Sequence, residues 1–375
     1  VFMWRLFGRR PSSALIVIYL SLHGDGHGQL RADALEQTAG VSTSSRVPLP
    51  ACVEEPHTKR CLPHFLVLGA QKAGTTSIFE IMRSHPQIVP SSRKELHFFF
   101  VYEHINRCSP PWQRPTQLEM IDYALDGAFP NESVLADGHR ITGEWSATYL
   151  PCWCCPPALA RVLNKVQLIV QLREPILRTH SRFMELRKKY LHAKANGDAL
   201  PYYADQVQNG FEWLVLQQLP FLTICRNASM SPMQQARCLS EFNIIGWSFY
   251  DAFLSNWLRY FGPDKLLVTY LDDLASKPLN VMRAIESHLG LRPHGYDSKM
   301  YRSYNFNGDD RVWTVKPSGH GSILGPAACP KLGIQTLVCD VLSNLFKPCL
   351  VELSRLAAVG QIRYLPDSWI EAWKL

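Results

Sequence analysis

The segment Gly69-Ala70-Gln71-Lys72-Ala73-Gly74-Thr75-Thr76-Ser77 constrains this chain more than any other. The apolar run Phe65-Leu66-Val67-Leu68 precedes it, and after it Ile78, Phe79 and Met82 recur on one helical face through residue 83. A buried strand that breaks on glycines and restarts as a helix makes a cradle for an anion. The glycines let the backbone approach closely, and the helix start offers free N–H groups and the positive end of its dipole. Lys72 adds a mobile charge, and Thr75, Thr76 and Ser77 add hydroxyl donors. The segment is not a Walker A loop, which needs Lys directly after the second glycine; Thr75 stands there, and the lysine lies two residues before Gly74.

Two further strand–helix pairs extend the pattern. Residues 166–172 read as a buried strand followed by a helix after Pro175, and residues 265–270 as a strand preceded by an amphipathic helix over 250–260. Alternating strands and helices predict an α/β fold: a single P-loop-like domain with a central, mainly parallel sheet flanked by helices. No internal repeat is visible.

The second strand ends in Leu172-Arg173-Glu174-Pro175, with Ser181 eight residues after Arg173. An arginine at a strand end can fork onto a phosphate, and a serine on the next helix can reach the same group. The loop lies roughly 100 residues upstream, within the span of one nucleotide-binding domain. A third cluster is Lys94-Glu95-Leu96-His97-Phe98-Phe99.

These segments resemble the sulfotransferase family. Residues 71–77 resemble the 5′-phosphosulfate loop of the heparan sulfate N-sulfotransferases, where the loop lysine contacts the sulfate and the bridging oxygen. Arg173 and Ser181 are similar to the family's 3′-phosphate pair. Residues 94–99 resemble the K-E-x-H-F-F segment of the 3-O- and related glycosaminoglycan enzymes. The resemblance implies transfer of a sulfuryl group from 3′-phosphoadenosine 5′-phosphosulfate (PAPS) to a carbohydrate hydroxyl or amine, probed by its product adenosine 3′,5′-bisphosphate, with no metal. It assigns Lys72, Ala73, Gly74, Thr75, Thr76, Ser77, Arg173 and Ser181 to the nucleotide. Glu95 is the base, because the acceptor must lose a proton as it attacks sulfur. His97 assists it, Lys72 stabilises the transferred group, and Lys94 lies on the acceptor side. Residues 143–150 resemble the family's acceptor-side segment, with Glu144, Ser146 and Thr148 as weaker candidates. The likeness runs over residues 65–356.

The pattern also departs from the family. The glycosaminoglycan enzymes close over the nucleotide with a K-G-R-x-x-P-like loop; here Lys316, Ser318 and Gly319 stand in that stretch without the arginine. Gln71 and Thr76 occupy places where 3-O enzymes carry arginines, which argues against a simple 3-O assignment. A protein-tyrosine sulfotransferase and a P-loop kinase are the alternative readings, the latter short of its lysine.

Composition bears on compartment and partners. The net charge of +7 suits an anionic ligand, but no basic stripe with interleaved aromatics appears, so nucleic acid finds no support. Arg5, Arg9 and Arg10 precede an apolar run at 14–22, so residues 1–30 read as a signal or truncated signal-anchor, residues 31–63 as a stem, and residues 64–375 as the transferase domain. Eleven cysteines and the sequons at Asn131 and Asn227 favour the Golgi lumen, in a type II or secreted protein. Cys225 and Cys238 are expected to close a polar surface loop; Cys152, Cys154 and Cys155 lack the second matched pair that zinc would want.

Overall fold

The computed structural model describes residues 52–54, 59–99, 117–135, 139–297, 302–303, 313–314 and 323–375. Its centre is a five-stranded, wholly parallel sheet: β1 (Phe65–Gly69), β2 (Ile88–Pro90), β3 (Ile141–Trp145), β4 (Gln167–Leu172) and β5 (Leu266–Tyr270). The spatial order is β2-β3-β1-β4-β5. The phosphate-loop strand therefore sits in the middle, with β3 on one side and the Arg173 strand on the other.

Strand periodicity splits the core in two. Phe65 and Val67 of β1, Ile169 of β4 and Leu267 of β5 point to one face, against Ile78, Met82 and Ile285. Leu66, Leu68, Leu168, Val170, Leu172 and Val268 point to the other, against Ile176, Tyr250, Trp257 and Leu350. Both faces are covered, as a parallel sheet requires, which is why these strands read as continuous apolar runs.

The principal helices are α1 (Thr75–Met82), α2 (Pro175–Asn196), α3 (Phe211–Cys225), α4 (Pro232–Ser240), α5 (Tyr250–Phe261), α6 (Pro278–Leu289) and α7 (Thr336–Ala358). α2 starts on Pro175, with the Glu174 carboxylate accepting from the Leu177 N–H at 2.8 Å, and ends at Gly197 in the left-handed region at φ 72°. The strands β1, β4 and β5 and the helices α1, α2 and α5 fall where the sequence puts them, whereas the long helices α3 and α7 were not foreseen. Two strands were not foreseen: β2 has three residues, and β3 carries Gly143 and Glu144, which hide its period.

The Cys225–Cys238 disulfide is present, but the segment it closes is not a loop. It contains the first turns of α4, started by a capping box in which Ser231 and Gln234 exchange side-chain-to-backbone bonds. A polar sequence with good caps folds as a helix that needs only one apolar face. Cys152–Cys155 and Cys329–Cys339 are also bridged, and Cys61 and Cys154 are disulfide-bonded. The antiparallel pair Cys52–Glu54 and Lys59–Cys61 lies inside the stretch read as stem, its strands too short to show a period. The targeting segment at 1–30 lies outside the described residues. Among those described, no helix is long and apolar enough to cross a membrane.

Candidate active site

β1 delivers the chain to Gly69, where any side chain would be impossible: a Cβ would lie 2.6 Å from the Ala147 carbonyl oxygen. The loop then folds tightly, with Ala70 N–H donating to the Gln171 carbonyl at 2.7 Å and Ala73 N–H to the Ala70 carbonyl at 3.2 Å. Lys72 lies in the left-handed region at φ 69°, uncommon for a residue with a Cβ. Gly74 caps α1 at φ 82°. No side chain caps this helix start and no acidic residue occupies its first turn, so its positive end is left for an outside anion. Ala73 is fully buried and offers backbone alone; Thr75 and Ser77 are largely buried and Thr76 is half-buried.

Arg173, at the end of the adjacent strand, reaches this loop. Its Nη1 donates to the Lys72 carbonyl at 3.2 Å, across 101 residues of sequence, while its own carbonyl accepts from the Tyr250 hydroxyl at 2.7 Å. The first two motifs are thus one site. Ser181 is half-buried one turn further along α2 than the residue that fastens the loop from beneath, Arg178. That guanidinium is wholly buried and donates to the carbonyls of Gln71 at 3.1 Å, Ile244 at 2.7 Å and Asn243 at 3.1 Å. Lys72 turns its ammonium to α2, where Glu185 Oε2 lies 3.4 Å away; that carboxylate also accepts from Arg182 at 2.9 Å and Lys189 at 3.2 Å. Burial lowers the Lys72 pKa and Glu185 works against this. Burial opposes the Glu185 charge, but Arg182, Lys72 and Lys189 outweigh it and hold its pKa at about 2.

The third motif crosses the C-terminal end of β3. Glu95 N–H donates to the Trp145 carbonyl at 2.7 Å, and Glu95 Oε2 accepts from the Ala147 N–H at 2.9 Å. Lys94 pairs with Oε1 of the same carboxylate, and His97 Nε2 lies 3.6 Å from Oε2. Glu95 and His97 both hold positive φ, 64° and 54°. Left-handed non-glycine residues cluster at functional sites, because the surroundings must over-determine them. Here those surroundings are Ser146 Oγ, which accepts from the His97 N–H at 3.1 Å, and Thr148 Oγ1, 2.8 Å from His97 Nδ1. Burial lowers the His97 pKa, with Glu95 acting against it, which favours the neutral ring.

Glu144 and Ser146 were expected to face an acceptor, yet both are fully buried. Glu144 takes hydrogen bonds from Tyr123 and from Ser146, the latter at 2.5 Å. Burial pushes its pKa up to about 7. All five residues of β3 are buried, since both faces of the sheet are covered, so residue 144 has no solvent-facing side to take. Lys316, Ser318 and Gly319 lie outside the described residues. Arg178, Arg182, Glu185 and Tyr123 were missed. The first three share a face of α2 with Ser181, at helical spacings that mark them once the helix is known to border the loop.

No family model matches the chain. The human bifunctional heparan sulfate N-deacetylase/N-sulfotransferase 2 is 26% identical over 261 residues, covering 67% of this chain and 24% of that protein. Its bovine counterpart is 28% identical over 259 residues, with the same coverage. The human heparan sulfate glucosamine 3-O-sulfotransferase 5 is 23% identical over 240 residues, 64% of this chain and 57% of that one. The chain thus spans 24% of the length of the first of these relatives. A solved sulfotransferase from Alicyclobacillus acidocaldarius covers 82% of this chain and 99% of its own, at 19% identity and a TM-score of 0.43. By sequence the chain is similar to sulfotransferases named for heparan sulfate.

Proposed function

We propose that this chain transfers the sulfuryl group of PAPS to a hydroxyl or amine of a glycosaminoglycan-like polysaccharide in one in-line step. The observation that carries the reading is the bond from Arg173 to the Lys72 carbonyl, which joins both halves of the nucleotide signature in one place. An uncapped helix start, Lys72 and Arg173 form a cationic cradle that fits a nucleotide with phosphates at both ends. Lys72, Ala73, Gly74, Thr75, Thr76 and Ser77 take the 5′-phosphosulfate side. Arg173 and Ser181 take the 3′-phosphate, and by resemblance to the family Lys316, Ser318 and Gly319 are assigned to the same nucleotide.

In the transfer, the acceptor oxygen or nitrogen forms a bond to sulfur as the bond from sulfur to the 5′-phosphate oxygen breaks. Glu95 takes the acceptor's proton, and His97 beside it keeps that carboxylate oriented. Negative charge grows on the departing phosphate oxygen, and Lys72 offsets it there more than in the ground state. Lys94 pairs with Glu95 and borders the acceptor. Ser146 holds this segment through the His97 N–H, and Glu144 holds Ser146 in turn. No step of the transfer calls for a metal.

The disulfides and the exposed Asn227 sequon support a lumenal setting in the secretory pathway, the Golgi by relation to the family, with residues 1–30 as targeting segment, 31–63 as stem and 64–375 as transferase domain. The test is transfer from radiolabelled PAPS to a panel of desulfated glycosaminoglycans and a tyrosine peptide, with Glu95→Gln alongside. Label should enter one glycan. The variant should lose about 10²–10⁴-fold in turnover while still binding adenosine 3′,5′-bisphosphate. Full activity in a folded Glu95→Gln, or no nucleotide binding by the wild type, would overturn the reading.

A further inference from the structure

Lys72 keeps its charge in a place that disfavours it. Its side chain is three-quarters covered, at 25% exposure, and burial, then the nearby Arg182 and Arg173, all act to strip its proton. Opposing them is a single carboxylate, that of Glu185 on α2, four residues after Ser181. One oxygen of Glu185 is shared by Lys72 at 3.4 Å and Arg182 at 2.9 Å, and the other faces Lys189 at 3.2 Å. Arg182 is buried and anchors the carboxylate, Lys189 is mostly in solvent, and Tyr203 borders the pair from the segment after α2. Apart from Lys72, no residue of the cluster belongs to the three motifs.

We propose that Glu185 is a positioning residue for the loop lysine: it holds the Lys72 ammonium against α2 and keeps it charged until the anionic groups of the donor take its place. The proposal rests on the sulfuryl-transfer reading. Burial and the neighbouring cations Arg182 and Arg173 push the lysine toward its neutral form, and a neutral amine cannot offset charge on the leaving phosphate. Glu185 cannot serve as a permanent partner, because a carboxylate left on Lys72 would repel the donor. Donor binding is therefore an exchange, in which Lys72 leaves Glu185 and the Glu185 charge stays neutralised by Arg182 and Lys189.

The experiment has two readouts. The first is the pH midpoint for acylation of Lys72 by a limiting amount of acetic anhydride in the full ligand-free chain, read by mass spectrometry for wild type, Glu185→Gln and Glu185→Asp. The second is the pH profile of kcat/KM for PAPS, whose alkaline limb reports the free enzyme. The expected result is a midpoint lowered by about one pH unit in Glu185→Gln and largely restored in Glu185→Asp. The alkaline limb should move by the same amount, a loss of about tenfold in kcat/KM on that limb with little change near pH 6.5. An unmoved midpoint overturns the proposal whether or not the protein is a sulfotransferase. A moved midpoint with kcat/KM reduced evenly at all pH values also overturns it, since Glu185 would then serve the fold alone. A moved midpoint in a wild type that neither binds adenosine 3′,5′-bisphosphate nor uses PAPS defeats the functional reading and, with it, any role for Glu185 in transfer.

Discussion

Replacing Arg178 by methionine keeps a long apolar stem in the core and removes the fork that ties the phosphate loop to residues 243–244. The wild-type side chain is fully buried and donates to three main-chain carbonyls, those of Gln71, Asn243 and Ile244, at 2.7–3.1 Å. Each carbonyl left unpaired in the interior costs at least about 1 kcal/mol, so the loss is about 3 kcal/mol if each can still recruit some solvation. For a chain of this size, at about 2.1 cal/mol/K of unfolding entropy per residue, that corresponds to about 4 °C in Tm. Lysine at 178 keeps a charge but not the planar fork, so Arg178→Lys should fall between methionine and wild type. The Gln71 carbonyl belongs to the loop itself. Its release should weaken adenosine 3′,5′-bisphosphate binding by about tenfold, a loss of some 1.4 kcal/mol. Differential scanning fluorimetry gives Tm and isothermal titration calorimetry gives Kd. A Tm within about 1 °C of wild type, with unchanged affinity, would refute the idea that Arg178 fastens the loop.

The buried Glu144 makes stability depend on pH with a definite sign. Its pKa is raised by burial from 4.5 to about 7, so its contribution is whole below pH 4.5 and is lost as pH rises through 7. Glu144→Gln stays neutral throughout, so its Tm deficit against wild type should shrink between pH 5 and pH 8; a constant deficit would show that Glu144 is ionised in the fold. Of the two sequons, Asn227 is exposed, whereas Asn131 is half-buried with its side-chain oxygen enclosed. When the protein is made in a secretory host, Asn227→Gln should remove one glycan from the intact mass and Asn131→Gln none; the reverse pattern would contradict this ranking of access.

The chain's primary order carries the fold class, because β1, β4 and β5 are buried on both faces and read as apolar runs. It also carries Lys72, Arg173 and Glu95, since each sits in a local pattern of strand end, glycine turn or motif. The short edge strand Ile88–Pro90 and the glycine-bearing Ile141–Trp145 had no such signal, because a period needs more residues than they supply. The helix Pro232–Ser240 was hidden for another reason: caps rather than apolar periodicity specify it.

What the sequence by itself determined is the set of local devices: a strand that breaks on Gly69 and Gly74, a helix primed by Glu174-Pro175, and an arginine at a strand end. What only the tertiary structure decided is which of them meet. Parallel pairing of β1 with β4 brings Arg173 onto Lys72, and the covering of both faces of β3 buries Glu144. α2 adds Arg178, Arg182 and Glu185 to the loop, none of which belongs to a motif. The physical reason is that charge and hydrogen bonding act through space over a few ångströms. Residues more than 100 positions apart meet only when the sheet sets its register and the helix packs its face.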